Sequence, residues 1–256
     1  MKRTHLFELE DQNWFPKKLR IYGTDFLRFL TVKTKMFHPI IPVIKKGIEH
    51  SRDKQIVDLC SGSGGGIIEL FQELKKDHAH LKIVFTDLFP NLTAKKEIES
   101  KLTEAIYHEN SIDARNVSAE LKGLRTMFLS FHHFNEKEAK KILQNVVDCE
   151  ESIAIFEGQE RSFKSVIAMF FSPISVLLIT PFIRPFSLWR LVFTYLIPIV
   201  PIFVWWDGIV SSMRTYSVNE LNNLVKTLHN GNKYKWEINR IKSGPVHIIY
   251  LLGLRK

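Results

Sequence analysis

Residues 56–66 read Ile-Val-Asp-Leu-Cys-Ser-Gly-Ser-Gly-Gly-Gly, an apolar run that breaks off into glycines. A short apolar run of this kind is a buried strand, and the periodic apolar residues at 67–74 that follow are a helix. Glycines at the junction let the backbone take positive φ and let a ligand approach the main chain closely. The unpaired N–H groups that open the helix favour a polar or anionic group there. A strand–turn–helix of this type predicts an α/β chain that binds a nucleotide-like molecule.

The identity of that molecule depends on details of the loop. A dinucleotide fingerprint needs a third glycine where this chain has Ile67, and no Gly-Lys-Ser/Thr follows to form a phosphate loop. Instead an acid, Asp58, stands inside the strand ahead of Gly62 and Gly64. Four further strands are predicted downstream. Residues 82–87 form a strand ending in Asp87, and 105–109 one leading to Ser111-Ile112-Asp113-Ala114. Residues 126–134 form one with the polar mouth Ser130, His132 and His133, and 152–157 one ending in Glu157. Strands alternating with helical stretches at this spacing predict a parallel sheet covered on both faces.

In this order, Asp58, Gly62 and Gly64 resemble motif I of the class I S-adenosylmethionine-dependent methyltransferases, with Cys60 where the first glycine of that motif usually falls. Asp87-Leu88-Phe89-Pro90-Asn91 resembles motif II, which implies Asp87 for the ribose with Leu88 beside it. The segment with Asp113 and Ala114 resembles the one that covers the adenine; otherwise Asp113 is a solvated loop carboxylate. Ser130 joins the implied cofactor set. His132-His133 resembles a His-His pair common after the fourth strand of small-molecule members, which makes either one a candidate base. Glu157 is a second candidate, unless it only anchors neighbouring loops. The implied fold is a doubly wound, Rossmann-like α/β sheet of seven mostly parallel strands with helices on both faces. Two terminal strands, 234–241 and 246–252, close it through the Ser243-Gly244-Pro245 turn. The implied cofactor is S-adenosyl-L-methionine.

Charge bears on partners. A net charge of +9 points to an anionic surface, nucleic acid or membrane. Much of it lies in the first 51 residues, predicted to be a helical N-terminal cap. Pro16 there suits a first helical turn and Thr24 a helix cap. Trp14, Phe15, Tyr22 and Phe26 are candidates for one rim of the cofactor pocket, Tyr22 as a substrate contact; the alternative is a helix packed on the sheet edge. Nucleic acid is disfavoured as the acceptor, because the fourth strand ends in Ser-Phe-His-His and lacks the Asn/Asp-Pro-Pro-aromatic sequence used on exocyclic amines. Two cysteines far apart, Cys60 and Cys149, argue against a disulfide framework and for a reducing, cytoplasmic setting. No acid/histidine group has ligand spacing along the chain, so no metal is expected.

Composition then changes sharply. Between Glu160 and Asp207 no acidic residue occurs, and two apolar runs, 166–183 and 188–206, are broken by five prolines and Arg190. Prolines in lipid leave backbone groups without partners. Three readings of the insertion follow: a hairpin dipping into one leaflet with arginines and tryptophans at the boundary, a dry substrate chamber or dimer interface, or a two-pass span. The domain expectation is a cap over 1–51, a cofactor-binding core over 52–160 and 207–256, and the insertion over 161–206. Asp207, Arg214 and Tyr216 either orient a substrate headgroup or form a hinge that ties the insertion down. Ser217 with Glu220 predicts a capping box. The functional expectation is methyl transfer to a hydrophobic small molecule or lipid at the inner face of a membrane. The alternatives are a nucleic-acid methyltransferase, a membrane-bound scaffold without activity, and group transfer from decarboxylated cofactor.

Overall fold

The computed structural model describes all 256 residues, Met1–Lys256. Its centre is a sheet of seven strands: β1 (Gln55–Leu59), β2 (Lys82–Phe85), β3 (Ala105–Tyr107), β4 (Leu124–Phe128), β5 (Ile153–Glu157), β6 (Tyr234–Ser243) and β7 (Val246–Arg255). Their spatial order is β3-β2-β1-β4-β5-β7-β6. The first five run parallel, and β7 pairs antiparallel with both β5 and β6. The order reverses at β1, so β1 and its neighbour β4 flank the switch point where doubly wound sheets bind ligands. Every residue of β5 is buried, as expected for a strand covered on both faces.

The helices are α1 (Lys17–Lys33), α2 (Ile41–His50), α3 (Gly65–Lys75), α4 (Leu92–Lys101), α5 (Glu136–Asp148), α6 (Phe163–Phe170), α7 (Ser172–Ile179), α8 (Leu188–Leu191), α9 (Ile199–Arg214) and α10 (Val218–Lys226). One face of the sheet is covered by α2, α3 and α4 through Ile44, Ile48, Ile67, Phe71 and Ile98. The other is covered by α5 and α10 through Ile142, Leu143, Val146, Leu221 and Leu224. Side-chain caps start several helices where the sequence supplies short polar residues. Asn91 accepts from Thr93 and Ala94, and Asn135 and Ser217 each complete a capping box, with Glu138 and Glu220 respectively.

Three sequence expectations need correction here. Residues 1–16 form no helix; they are an irregular arm laid across the molecule. Thr24 is no cap, because α1 runs unbroken from Lys17 to Lys33 and its hydroxyl bonds back to the Ile21 carbonyl. The insertion does not end at 206: α9 continues through Asp207 and Gly208 to Arg214.

The insertion folds as four helices against α1. Phe15, Leu19, Tyr22 and Phe26 pack on Val176, Ile183, Val200 and Phe203 in a third apolar cluster. A Cβ at Gly23 would lie 2.7 Å from the Phe203 ring, so α1 and α9 approach closely through that glycine. No single helix is long and apolar enough to cross a membrane; the two apolar stretches bend by 44° and 76° at their breaks. Their outward side is strongly apolar, with Phe163, Phe170, Leu178, Phe182, Leu188, Trp189 and Leu196 all exposed. Arg184 is exposed among them. Arg190 is not at any boundary: it is buried, bonded to Asp25 at 2.6 Å and to two carbonyls. Trp206 is held by the arm, its ring N–H donating to the Phe7 carbonyl at 3.1 Å.

Candidate active site

A cavity of about 810 Å³ opens at the carboxyl ends of β1, β2 and β4, roofed by α1 and the N-terminal arm. That volume suits a bound small molecule. Its floor is the glycine loop. Cys60, Gly62 and Gly64 have φ of 55°, 52° and 79°. Gly64 is obligatory on two counts, since an added Cβ would also lie 2.5 Å from Ile68 and 2.8 Å from Ile98. Cys60 holds a left-handed conformation that costs a non-glycine residue about 1–2 kcal/mol. Leu129, also at the cavity, does the same with φ 49°. Such strain collects at functional sites.

Asp87 grips the loop. Its carboxylate accepts from the Gly62 N–H and the Phe89 N–H, each at 2.8 Å. Tyr107 donates its hydroxyl to the Gly62 carbonyl at 2.9 Å and accepts from the Asn91 N–H. Burial raises Asp87 above the ordinary carboxylate value, partly offset by those two amides. Asp58 lies below the loop and lines the cavity floor; burial pushes it up to about 7 although Thr126 donates a hydroxyl to it at 2.7 Å. Ser130 lines the cavity with a buried hydroxyl that has no partner, a vacancy in hydrogen bonding that a ligand can fill. Leu88 joins it at the cavity wall.

The adenine candidates sit elsewhere. Asp113 is paired to Arg115 through three contacts of 2.7–3.0 Å, and Ala114 is buried in the core. Arg115, not Asp113, reaches the cavity. Tyr22, offered as a substrate contact, is also absent from the lining; it is buried against α9 with its hydroxyl near Ser187. Phe15 and Phe26 are core, and Trp14 is exposed. From α1 the cavity instead receives Lys17, Arg20, Thr24 and Arg28.

At the mouth of β4 only one of three candidate bases faces the cavity. Glu157 accepts both the backbone N–H and the Nδ1 of His132, at 3.0 and 2.8 Å, and neither residue lines the cavity. His133 does line it. Its Nδ1 lies 2.9 Å from both Glu8 Oε2 and Asp11 Oδ1, and its Nε2 lies 3.6 Å from Glu10. Burial alone would lower the imidazole, but these carboxylates outweigh it and hold His133 well above its ordinary value. Glu10, at the cavity wall, is pushed up to about 7 by burial and by Glu8, Asp207 and Asp11, against the opposing pull of His133.

Arg214 and Tyr216 do not reach the cavity. Arg214 bonds Asp11 at 2.6 Å, Glu8 at 3.1 Å, the His5 ring and the His133 carbonyl. Tyr216 donates to the Phe134 carbonyl at 2.8 Å beneath the Arg3 guanidinium. Asp207 accepts from the Leu9 and Glu10 amides and is pushed up to about 6 by burial. This trio ties the N-terminal arm to α9. Glu8, Glu10 and Asp11 were not among the sequence candidates; the signal was three acids within an otherwise basic N-terminal segment.

No family model matches the sequence, and no curated protein matches it. Solved structures do match in shape. The plantazolicin methyltransferase BpumL in complex with SAH superposes with a TM-score of 0.56 at 13% identity, over 96% of this chain and 93% of that one. This chain has the class I methyltransferase fold. The pyocyanin biosynthetic protein PhzM matches with a TM-score of 0.53 at 14% identity over 89% of this chain. Human N-acetylserotonin methyltransferase in complex with SAM matches with 0.51 at 11% over 97%. The chain spans only 57% and 62% of those two proteins. Within the methyltransferase fold, the glycine loop after β1 and the acid after β2 border the same cavity in this chain.

Proposed function

We propose that this protein is an S-adenosylmethionine-dependent methyltransferase acting on a hydrophobic small molecule or lipid at a membrane surface. The observation that carries the reading is the pairing of the left-handed glycine loop with Asp87 at the rim of a cavity at the sheet's switch point. Support for the cofactor comes from the neighbours of the same fold, whose structures are described with SAH or SAM.

In this reading the ribose hydroxyls take over the Asp87 carboxylate oxygens, and Ser130 gives its free hydroxyl to the cofactor. Lys17 and Arg20 line the cavity and offer cations to the carboxylate of the cofactor. The sulfonium makes the methyl group electrophilic, so the protein's main task is alignment of the acceptor. When bound, the cofactor would supply an electrophilic methyl carbon and a neutral thioether as leaving group, and an acceptor hydroxyl would need a base for its proton. Glu10, a cavity carboxylate with a value near neutrality, is suited to receive it.

The apolar acceptor is argued from the insertion. No residue from 139 onward lines the cavity, so the apolar helices form no chamber around the site. Their exposed phenylalanines and leucines, the exposed Arg184 and Lys164, and the absence of acids between 160 and 207 fit a surface that enters the headgroup layer of an anionic bilayer. The protein, given methyl-labelled S-adenosylmethionine and a whole-cell extract, is expected to send label into the organic phase. Label confined to nucleic acid or to the aqueous phase would overturn the acceptor class. No transfer despite cofactor binding would leave a scaffold.

A further inference from the structure

Folding assembles a set of metal-ligating atoms that the sequence spacing conceals. Glu8, His132 and His133 each bring one ligand atom within 4.8 Å of the others. Glu8 is fully buried and His132 nearly so. Glu8 Oε2 and His133 Nδ1 lie 2.9 Å apart, an ion pair when the imidazole is protonated, and Glu8 Oε2 has no other protein partner. With the imidazole neutral, the two atoms are left facing each other, and a cation can take the place of the proton they share.

His132 is prepared for the same role. A carboxylate only accepts, so its Nδ1 proton goes to Glu157 at 2.8 Å, even though the Gln159 side-chain nitrogen also lies 3.1 Å from that atom. The lone pair is then on Nε2, which points toward Glu8 Oε1 at 3.8 Å, beyond hydrogen-bond reach. A carboxylate behind the histidine is the usual outer support of a metal-bound imidazole. Two ligands at tetrahedral angles, each about 2.0–2.1 Å from zinc, lie about 3.4 Å apart. The two Glu8 oxygens lie at 2.9 Å (Oε2 to His133) and 3.8 Å (Oε1 to His132), so a small rotation of the carboxylate is needed to bring one oxygen beside both rings. Asp11 Oδ1 lies 2.9 Å from the same His133 nitrogen but is not one of the three converging atoms, so solvent is left to complete the coordination.

Charge points the same way. Glu8, Glu10, Asp11, Asp207 and Glu157 surround the site, whereas the guanidinium groups packed on it are those of Arg214 and Arg3. Arg214 takes Glu8 Oε1 and Asp11 Oδ2, which turns the other oxygen of each toward His133.

We propose that Glu8, His132 and His133 bind one divalent transition-metal ion of the zinc and cobalt class at the cavity wall. Two imidazoles with carboxylates favour such an ion over magnesium or calcium. His133 also faces the cavity, so the ion is placed beside the acceptor. Because protons compete for the same nitrogens, affinity rises with pH.

The full chain, stripped with a chelator, is titrated with Co²⁺ and with Zn²⁺. Expected are one ion per chain, a visible cobalt spectrum of four- or five-coordinate type, and imidazole scattering in the X-ray absorption of the wild-type zinc form. Glu8→Gln and His133→Phe are each expected to weaken binding by about 10- to 100-fold or more, with Glu109→Gln, on the far side of the sheet order, unchanged. No saturable binding by wild type, absorption without imidazole scattering, or unchanged affinity in folded His133→Phe would overturn the site. Should Glu8→Gln not fold, the wild-type absorption spectrum decides alone. S-adenosylhomocysteine binding on the same samples is expected with or without the ion, so loss of the metal site and loss of the cofactor reading are separable.

Discussion

Asp87 and Asp113 make the sharpest contrast between single residues. Both are strand-end acids in sequence, but Asp87 holds the glycine loop and Asp113 is spent on Arg115. Asp87→Ala is expected to weaken cofactor binding by about 10- to 100-fold, the loss of one or two hydrogen bonds to a charged acceptor, whereas Asp113→Ala stays within a few-fold; calorimetric titration separates them. The loop offers a second contrast. Gly64→Ala is expected to destabilise by more than about 1 kcal/mol, since φ is positive and the new methyl meets Ile68 and Ile98. Cys60→Gly relieves a left-handed residue and is expected to be neutral or mildly stabilising in denaturant unfolding. Asp58 sets a pH dependence. Its folded value near 7 exceeds that of the unfolded chain, so between about pH 4 and 7 the native state holds the extra proton and this group's contribution declines as pH rises. Asp58→Asn is therefore expected to gain thermal stability relative to wild type at pH 8 compared with pH 5.

The elements were legible where period and punctuation agree. Ser217 with Glu220, read from sequence as a capping box, forms one; Ser217→Ala is expected to cost about 1 kcal/mol, measurable by urea unfolding. The strands of the core and the terminal hairpin were likewise legible, since apolar runs between glycines and prolines have few alternatives. The arm over 1–16 was not, because its order comes from α9: Asp207 and Arg214 hold Glu8, Glu10 and Asp11 across a sequence gap that no local pattern encodes. The same gap hid the metal-ligand cluster and made Arg214 resemble a substrate clamp. Tyr22 and Arg190 misled for a related reason, as each is satisfied by a partner on a distant helix. For the insertion, Phe182→Ser with Leu188→Ser is expected to reduce flotation with anionic vesicles several-fold while leaving cofactor affinity unchanged. Unchanged flotation would reassign that face to a contact between two copies of the chain.

At the scale of the whole molecule, the sheet places the switch point, the arm and α1 roof it, and the insertion carries an apolar face on the side of α1 away from the loop. The cofactor half of the site could be read in sequence because it is local: one strand, one loop, one acid. The opposite wall comes from two distant segments, the arm and the β4 mouth, with the arm pinned by α9, and only the fold brings them together. The central claim is that the cavity binds the cofactor. Titration of purified protein with S-adenosylhomocysteine in a calorimeter tests it most directly. One site per chain, weakened in Asp87→Ala and retained in Asp113→Ala, is the expected result; no heat of binding to the folded wild-type chain would contradict it.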